Sequence, residues 1–105
     1  MTEYIQVATT TDSQSAAQTI ATALVDRRLA ACVQISGPIE SVYRWQGKVE
    51  TAQEWHCTVK TRSSLFENVA QAIGELHSYD CPEIVATPLA HVSDEYGWWL
   101  DKQLG

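Results

Sequence analysis

Four side chains that can bind a metal ion or transfer a proton lie within one short stretch, ELHSYDCPEIV, residues 75–85. They are His77, Tyr79, Cys81 and Glu83. Imidazole and thiolate groups suit copper and zinc, so His77 and Cys81 are candidate metal ligands. A structural zinc site takes four ligands, and this pair supplies only two. A complete site would need His56, His91 or Cys32 from another strand or subunit.

The same stretch also has a purely structural interpretation. A histidine at a helix end can bond the last free carbonyls of the helix, as we expect for His77. The Tyr79 ring can pack at an interface with its hydroxyl group satisfied. Glu83 can form an ion pair with Lys60, and Pro82 can set the start of a strand. The residue types alone leave both interpretations open.

Periodicity along the chain predicts the elements that position these residues. Period-two patterns indicate strands over 3–9, 31–36, 39–60 and 83–92, the third being a hairpin that turns at Gln46-Gly47-Lys48. Apolar residues at helical spacing predict helices over 13–29, 66–77 and 94–104. Two capping-box spacings predict the starts of the first two helices: Thr11 with Gln14, and Ser64 with Glu67. The last turn of the first helix is expected to contain Arg27 and Arg28, where cations suit the helix dipole.

The order βαββαβ, closed by a short C-terminal helix, predicts an α+β fold. We expect a ferredoxin-like antiparallel sheet of four strands with both long helices on one face. Gly37-Pro38 interrupts the second strand, and proline cannot donate to a ladder, so a bulge or an edge is expected there. Alternation on the returning strand places Cys57 on the packed face and Glu54 and His56 on the wetter face.

The hairpin is too long for a domain of this size. Thirteen extended residues, 48–60, would span about 43 Å, whereas the radius of gyration of a domain of about 100 residues is about 13 Å. The overhang carries Tyr43 and Trp45 on one face and Val42 on the other. Pairing with neighbouring subunits in a closed ring would cover it, although a tip curled back over its own sheet is the alternative.

Length and charge narrow the classes of function. The 105 residues predict a single domain, 1–105. Seven basic and 13 acidic residues give a net charge of -6, which disfavours nucleic acid and anionic membrane surfaces as partners. The first residues, MTEYIQVATTTD, lack the features of a secretory signal, and the three cysteines fit reduced thiols, so a cytoplasmic location is expected.

Several motifs occur together in the order and spacing of a known family. They are LVDRRLAACVQI, SVYRWQGKVE, VKTR, HSYDCPEIVA and YGWWL. In combination they resemble the CutA family of divalent-cation tolerance proteins, over roughly Val7 to Leu100. The resemblance implies a ferredoxin-like subunit in a homotrimer locked by the long hairpins, with architectural kinship to the PII signalling proteins.

The resemblance also implies a role in the response to metal ions, with copper or another divalent cation as the ligand and no established catalysis. A PII-like sensor of a small ligand, without a physiological metal, is the alternative implied. The polar and aromatic positions implied for clefts between subunits are Cys32, Tyr43, Trp45, Glu50, Lys60, His77, Tyr79, Pro82 and Glu83. Ser78 and Gly97 depart from the residues usual in the family, so the loop and the last helix are expected to differ in detail.

Two other classes of function share this topology. An acylphosphatase-like hydrolase would need an anion cradle of glycine-rich amides with an arginine, and no such loop accompanies Arg44 or Arg62. An RNA-binding module would need a basic, aromatic sheet face, and the characteristic pattern is missing from the sequence. We therefore expect a binding protein and not an enzyme.

Overall fold

Residues 3–105 are described by a computed structural model. Eight elements follow one another along the chain. They are β1 (Tyr4–Thr11), α1 (Gln14–Asp26), β2 (Cys32–Trp45), β3 (Lys48–Arg62), a 3-10 turn (Ser63–Leu65), α2 (Phe66–Leu76), β4 (Val85–Pro88) and α3 (Asp94–Gln103). The predicted βαββαβ order with a closing helix is confirmed.

The four strands form one antiparallel sheet in the order β2-β3-β1-β4. This order is that of the predicted ferredoxin-like fold. The core lies between the sheet and the long helices, where Val7 and Val59 of the central strands contact Ile20 and Leu24 of α1 and Ile73 of α2. Each of these side chains is at most 1% exposed. Cys57, predicted for the packed face, is fully buried, and burial raises the pKa of its thiol.

The predicted start of α1 is wrong. Thr11 remains in β1, and its hydroxyl donates to the Ser13 carbonyl at 2.7 Å. Ser13 is the N-cap instead, because its side chain accepts from the Ala16 N–H at 3.1 Å. Both residue types cap helices well, and the sheet pairing of Thr11 with Trp55 decides between them.

The predicted placement of the arginine pair in the last turn of α1 is also wrong. The helix ends at Asp26, and Arg28 adopts a positive φ of 60°. This turn directs the guanidinium of Arg28 to α3, where it donates to the carbonyls of Lys102 at 2.7 Å and Gln103 at 3.1 Å. Arg28 therefore stabilises the C-terminal end of a different helix.

Two further boundaries differ from the sequence pattern. A 3-10 turn precedes α2, whose N-cap is Leu65 without a side-chain bond, so the second capping box does not form. β4 has four residues and not ten. Pro88 ends it because a proline lacks the N–H needed to continue the ladder.

β2 and β3 continue beyond the sheet as a two-stranded arm, residues 39–54. β1 pairs with β3 only between Trp55 and Arg62, so the rest of β3 contacts β2 alone. The turn at Gln46-Gly47 has positive φ at both residues, as a tight type I′ hairpin requires. The arm gives the chain a long axis of 45 Å against 26 and 22 Å for the others. The predicted overhang is confirmed within one subunit.

Candidate functional site

A cleft opens between the arm and the loop that follows α2. It encloses about 560 Å³. Its lining consists of Thr10, Ser41, Val42, Tyr43, Trp45, Glu54, Tyr79, Asp80, Cys81 and Glu83. Five of the residues predicted for the site therefore meet in one place: Tyr43, Trp45, Tyr79, Cys81 and Glu83.

A bulge in β2 brings the two aromatic side chains of the arm into this cleft. Ser36 pairs with His56, but Ile39 pairs with Glu54, so β2 carries one extra residue at Gly37-Pro38. Paired residues of antiparallel strands share a face, and the extra residue exchanges the two faces of everything that follows. Tyr43 and Trp45 thereby lie on the face of Glu54. Without the bulge, Val42 and Arg44 would occupy that face, and a guanidinium would point into the cleft.

The loop after α2 is held to the sheet by His77. Its Nδ1 accepts the Tyr79 backbone N–H at 3.0 Å, and its Nε2 lies 2.7 Å from the Thr10 carbonyl oxygen. A carbonyl oxygen can only accept, so Nε2 carries the proton and donates. Both ring nitrogens are therefore engaged in the fold. The predicted bonds from the His77 side chain to the last carbonyls of α2 do not form within residues 3–105, since its ring nitrogens bond to β1 and to the loop.

Tyr79 closes the inner end of the cleft by bonding a buried carboxylate. Its hydroxyl donates to Glu54 Oε2 at 2.8 Å, and its ring lies 4.7 Å from the His77 ring, centroid to centroid. Burial and the hydrogen bond to Glu54 raise the pKa of Tyr79, with the charge of Asp12 adding to the effect. Tyr79 is therefore a neutral hydrogen-bond donor over the whole physiological pH range.

Glu54 is the main cleft residue that the sequence pattern did not predict. Alternation correctly assigns it to the face opposite the helices, but it is only 6% exposed and not solvated. The loop that covers Glu54 lies more than twenty residues further along the chain. Period-two patterns report the face of a strand and carry no signal for a loop that folds over it. Asp80 was also missed, because it lies in the loop itself, which has no periodic pattern.

The remaining predicted residues lie outside the cleft of a single subunit. Glu50 is opposite Tyr43 on the exposed arm, and Pro82 lies beside the lining residues. Cys32 pairs with Lys60 at the far end of β2, next to Tyr96 of α3, and contact with Cys32 adds to burial in raising the pKa of Tyr96.

The expected ion pair between Lys60 and Glu83 does not form among residues 3–105. Lys60 Nζ donates instead to Gln34 Oε1 at 3.0 Å.

The metal-binding hypothesis fits one subunit only in part. Within residues 3–105 no group of three or more His, Cys, Asp or Glu side chains is placed to hold an ion. Cys81 is exposed in the cleft and offers a free thiol near Asp80 and Glu83. His77 would have to exchange one of its two hydrogen bonds for a metal bond. The assignment of His77 and Cys81 as ligands stays a prediction.

Fold and cleft together define a class: a ferredoxin-like α+β subunit with a projecting arm and an acidic, aromatic cleft at its base. The model of the CutA1 divalent ion tolerance proteins matches residues 5–103. The chain therefore belongs to this family, as the motifs indicate.

Similar proteins agree with this assignment. The chain is 46% identical to the divalent-cation tolerance protein CutA of Thermus thermophilus, over 91% of this chain and 93% of that protein. It is 42% identical to the chloroplastic protein CutA of Arabidopsis thaliana, over 91% of this chain but 53% of the relative.

Solved structures of the family show the same fold. The Cut A1 structure from Thermus thermophilus superposes with a TM-score of 0.93 at 45% identity and full coverage of both chains. CutA1 from Oryza sativa gives 0.95 at 36% identity, covering 98% of this chain and 94% of that chain. Over residues 3–105, no helix has the length and apolar character needed to cross a membrane.

Proposed function

We propose that this protein acts in the cellular response to divalent cations by binding a metal ion, copper or zinc, at the cleft, without catalysing a reaction. The observation that carries the proposal is the exposed thiol of Cys81 in a cleft lined by carboxylates. Thiolates select copper and zinc. The family description refers to tolerance of divalent ions.

Metal titration tests this role. We expect Cys81→Ser to remove most Zn(II) uptake and His77→Ala to weaken it, because each variant deletes one proposed ligand. Equilibrium dialysis with metal analysis measures both. Gln18→Ala is the control, since Gln18 is an exposed residue of α1 and is not one of the candidate ligands. Uptake by His77→Ala equal to that of the wild type would remove His77 from the site, and the same result for Cys81→Ser would reject the proposal.

We further propose that three copies assemble as a homotrimer through the arms. Val42 and Val49 lie on one face of the arm and are 63% and 65% exposed in the single subunit, while Tyr43 and Trp45 project from the other face. A two-stranded ribbon is marginally stable alone, and exposed apolar patches favour association. The outer edge of β2 is also unpaired within the described sheet.

Light scattering tests the assembly. The wild type should show three times the subunit mass of 11.7 kDa. We expect the double variant Val42→Lys, Val49→Lys to dissociate, because lysine on a buried apolar face is strongly disfavoured. The variant Gln18→Lys, Thr22→Lys makes the same charge change on the exposed face of α1 and should stay assembled. A folded wild-type monomer in dilute buffer would reject the proposal.

We also propose a cytoplasmic location, since Cys32, Cys57 and Cys81 form no disulfide within residues 3–105; cell fractionation tests it.

One observation favours a second function for the same cleft. Its volume of about 560 Å³ is far larger than a metal ion and falls in the range of small-molecule sites. We therefore propose, as the alternative, a PII-like sensor that binds a small ligand with no physiological metal.

A further inference from the structure

Three carboxylates line the cleft, and among the described residues no Lys, Arg or His side chain does. They belong to Glu54, Asp80 and Glu83. The one ion pair among residues 3–105 joins Arg62 and Asp101, at the end of the sheet covered by α3. None of the three cleft carboxylates forms an ion pair within residues 3–105.

Glu54 makes this absence of a cation significant. Glu54 is only 6% exposed, and within residues 3–105 the only hydrogen bond to its carboxylate comes from the phenol of Tyr79. Removing a carboxylate from water is unfavourable unless a positive charge accompanies it. A cationic group that enters the cleft would supply that charge.

Two aromatic side chains form the wall of the cleft on the side of the arm. Tyr43 and Trp45 are alternate residues of one strand, so their rings project to the same side, and they are 44% and 51% exposed. The face of an aromatic ring attracts a cation within about 6 Å of its centre, and tryptophan does so most strongly. A metal ion gains little from contact with such ring faces, whereas an organic ammonium group is attracted to them.

We infer that the cleft binds a small organic cation, with its ammonium group among the three carboxylates and its carbon substituents against the Tyr43 and Trp45 rings. This inference rests on the proposed ligand-sensing function of the same cleft and specifies the class of ligand. The cavity of about 560 Å³ accommodates a molecule of several heavy atoms. The net charge of -6 favours the approach of such a ligand.

Choline is a suitable probe because it has a neutral isostere. Dimethylbutanol has the same shape, with carbon in place of the charged nitrogen. We expect choline to bind the assembled wild-type protein and its methyl proton signal to shift upfield from ring currents. Dimethylbutanol should bind at least about tenfold more weakly, since cation–π attraction and the carboxylates both require charge.

Matched variants locate the site. Trp45→Leu keeps an apolar side chain and removes the ring, and we expect about tenfold weaker choline binding. Tyr43→Phe keeps the ring face and should bind choline as the wild type does. Glu54→Gln keeps the shape, removes one charge and should weaken binding. Circular dichroism and light scattering confirm that each variant is folded and assembled.

The outcome separates this inference from the metal proposal. Cys81→Ser should lose Zn(II) uptake and keep choline binding, whereas Trp45→Leu should show the reverse. Equal binding of choline and dimethylbutanol would reject the organic cation. Failure of choline to bind at any accessible concentration, as when a neighbouring subunit fills the cleft, would also overturn it. Loss of Zn(II) uptake alone would leave it intact.

Discussion

Gly37→Ala is expected to lower the free energy of unfolding by roughly 3 kcal/mol, the combined effect of a disfavoured backbone conformation and overpacking. A Cβ at this position would lie 2.6 Å from Trp55 Cδ1 and 3.1 Å from Trp55 Cα. The φ of +156° is also one that side-chain-bearing residues rarely adopt. The neighbour cannot withdraw easily because part of the clash is with backbone. Chemical denaturation at a fixed protein concentration measures the change.

Gly74→Ala provides a control with the same chemical change and the opposite expected sign. Gly74 lies in α2, and a Cβ there would meet nothing within 4 Å. Alanine is the better helix former by up to about 1 kcal/mol, so this variant should be as stable as the wild type or more stable. Equal stability of the two variants would show that the bulge tolerates a side chain, against the geometry described above.

The bulge connects this stability effect to the cleft. Gly37-Pro38 is where β2 gains the residue that turns Tyr43 and Trp45 toward Glu54. A substitution that straightens the strand would exchange them for Val42 and Arg44. We therefore expect Gly37→Ala to lose choline binding as well as stability, whereas Gly74→Ala should keep both.

The parts of this site that the sequence predicts are those set by local periodicity. The alternation of the strands, the helix stripes and the Gly-Pro interruption each predict an element that the structure contains. The hairpin length even predicts the overhang, because strand rise is nearly constant. The boundaries are less certain, since Thr11 and Ser13 are equally good caps and only the sheet decides between them.

What the sequence did not predict depends on contacts between distant segments. The burial of Glu54 requires the His77 bonds to Thr10 and the Tyr79 bond to Glu54, which join residues 67 and 25 positions apart. Arg28 likewise reaches α3 from 74 and 75 positions away. No periodic pattern along one segment contains this information. The resemblance to the family implies a set of cleft residues but does not predict what they contact within one chain.

Tyr79→Phe is expected to destabilise the protein by about 2 kcal/mol, because it removes the donor to a buried charged group. The Glu54 carboxylate would then lose its only hydrogen bond within the described chain, at 6% exposure. Glu54→Gln is the matched variant, since its amide oxygen still accepts from the phenol and the side chain is neutral. We expect it to be close to the wild type in stability.

A double-mutant cycle isolates the interaction. In the Glu54→Gln background, Tyr79→Phe should be less destabilising, by about 1 kcal/mol. The reason is that losing a hydrogen-bond donor is less unfavourable for a neutral acceptor than for a charged one. The difference between the two backgrounds is the charge-dependent part of the hydrogen bond. Equal effects of Tyr79→Phe in both backgrounds would show that the carboxylate is not stabilised by the phenol.

The pH dependence of the same variant gives a second measurement with a definite sign. Burial and the bond to Glu54 raise the pKa of Tyr79 in the folded chain, whereas an unfolded tyrosine ionises near pH 10, its usual pKa. The stability that neutral Tyr79 contributes is therefore complete below about pH 10 and declines at higher pH, where only the unfolded chain has lost the proton. Tyr4 and Tyr96 also have raised pKa values, so the wild type loses stability there from several groups. The free energy of unfolding of Tyr79→Phe should fall less over the same pH range, so the stability difference between this variant and the wild type should shrink as pH rises. Parallel stability curves above about pH 10 would contradict the assignment of a neutral, buried phenol at this position.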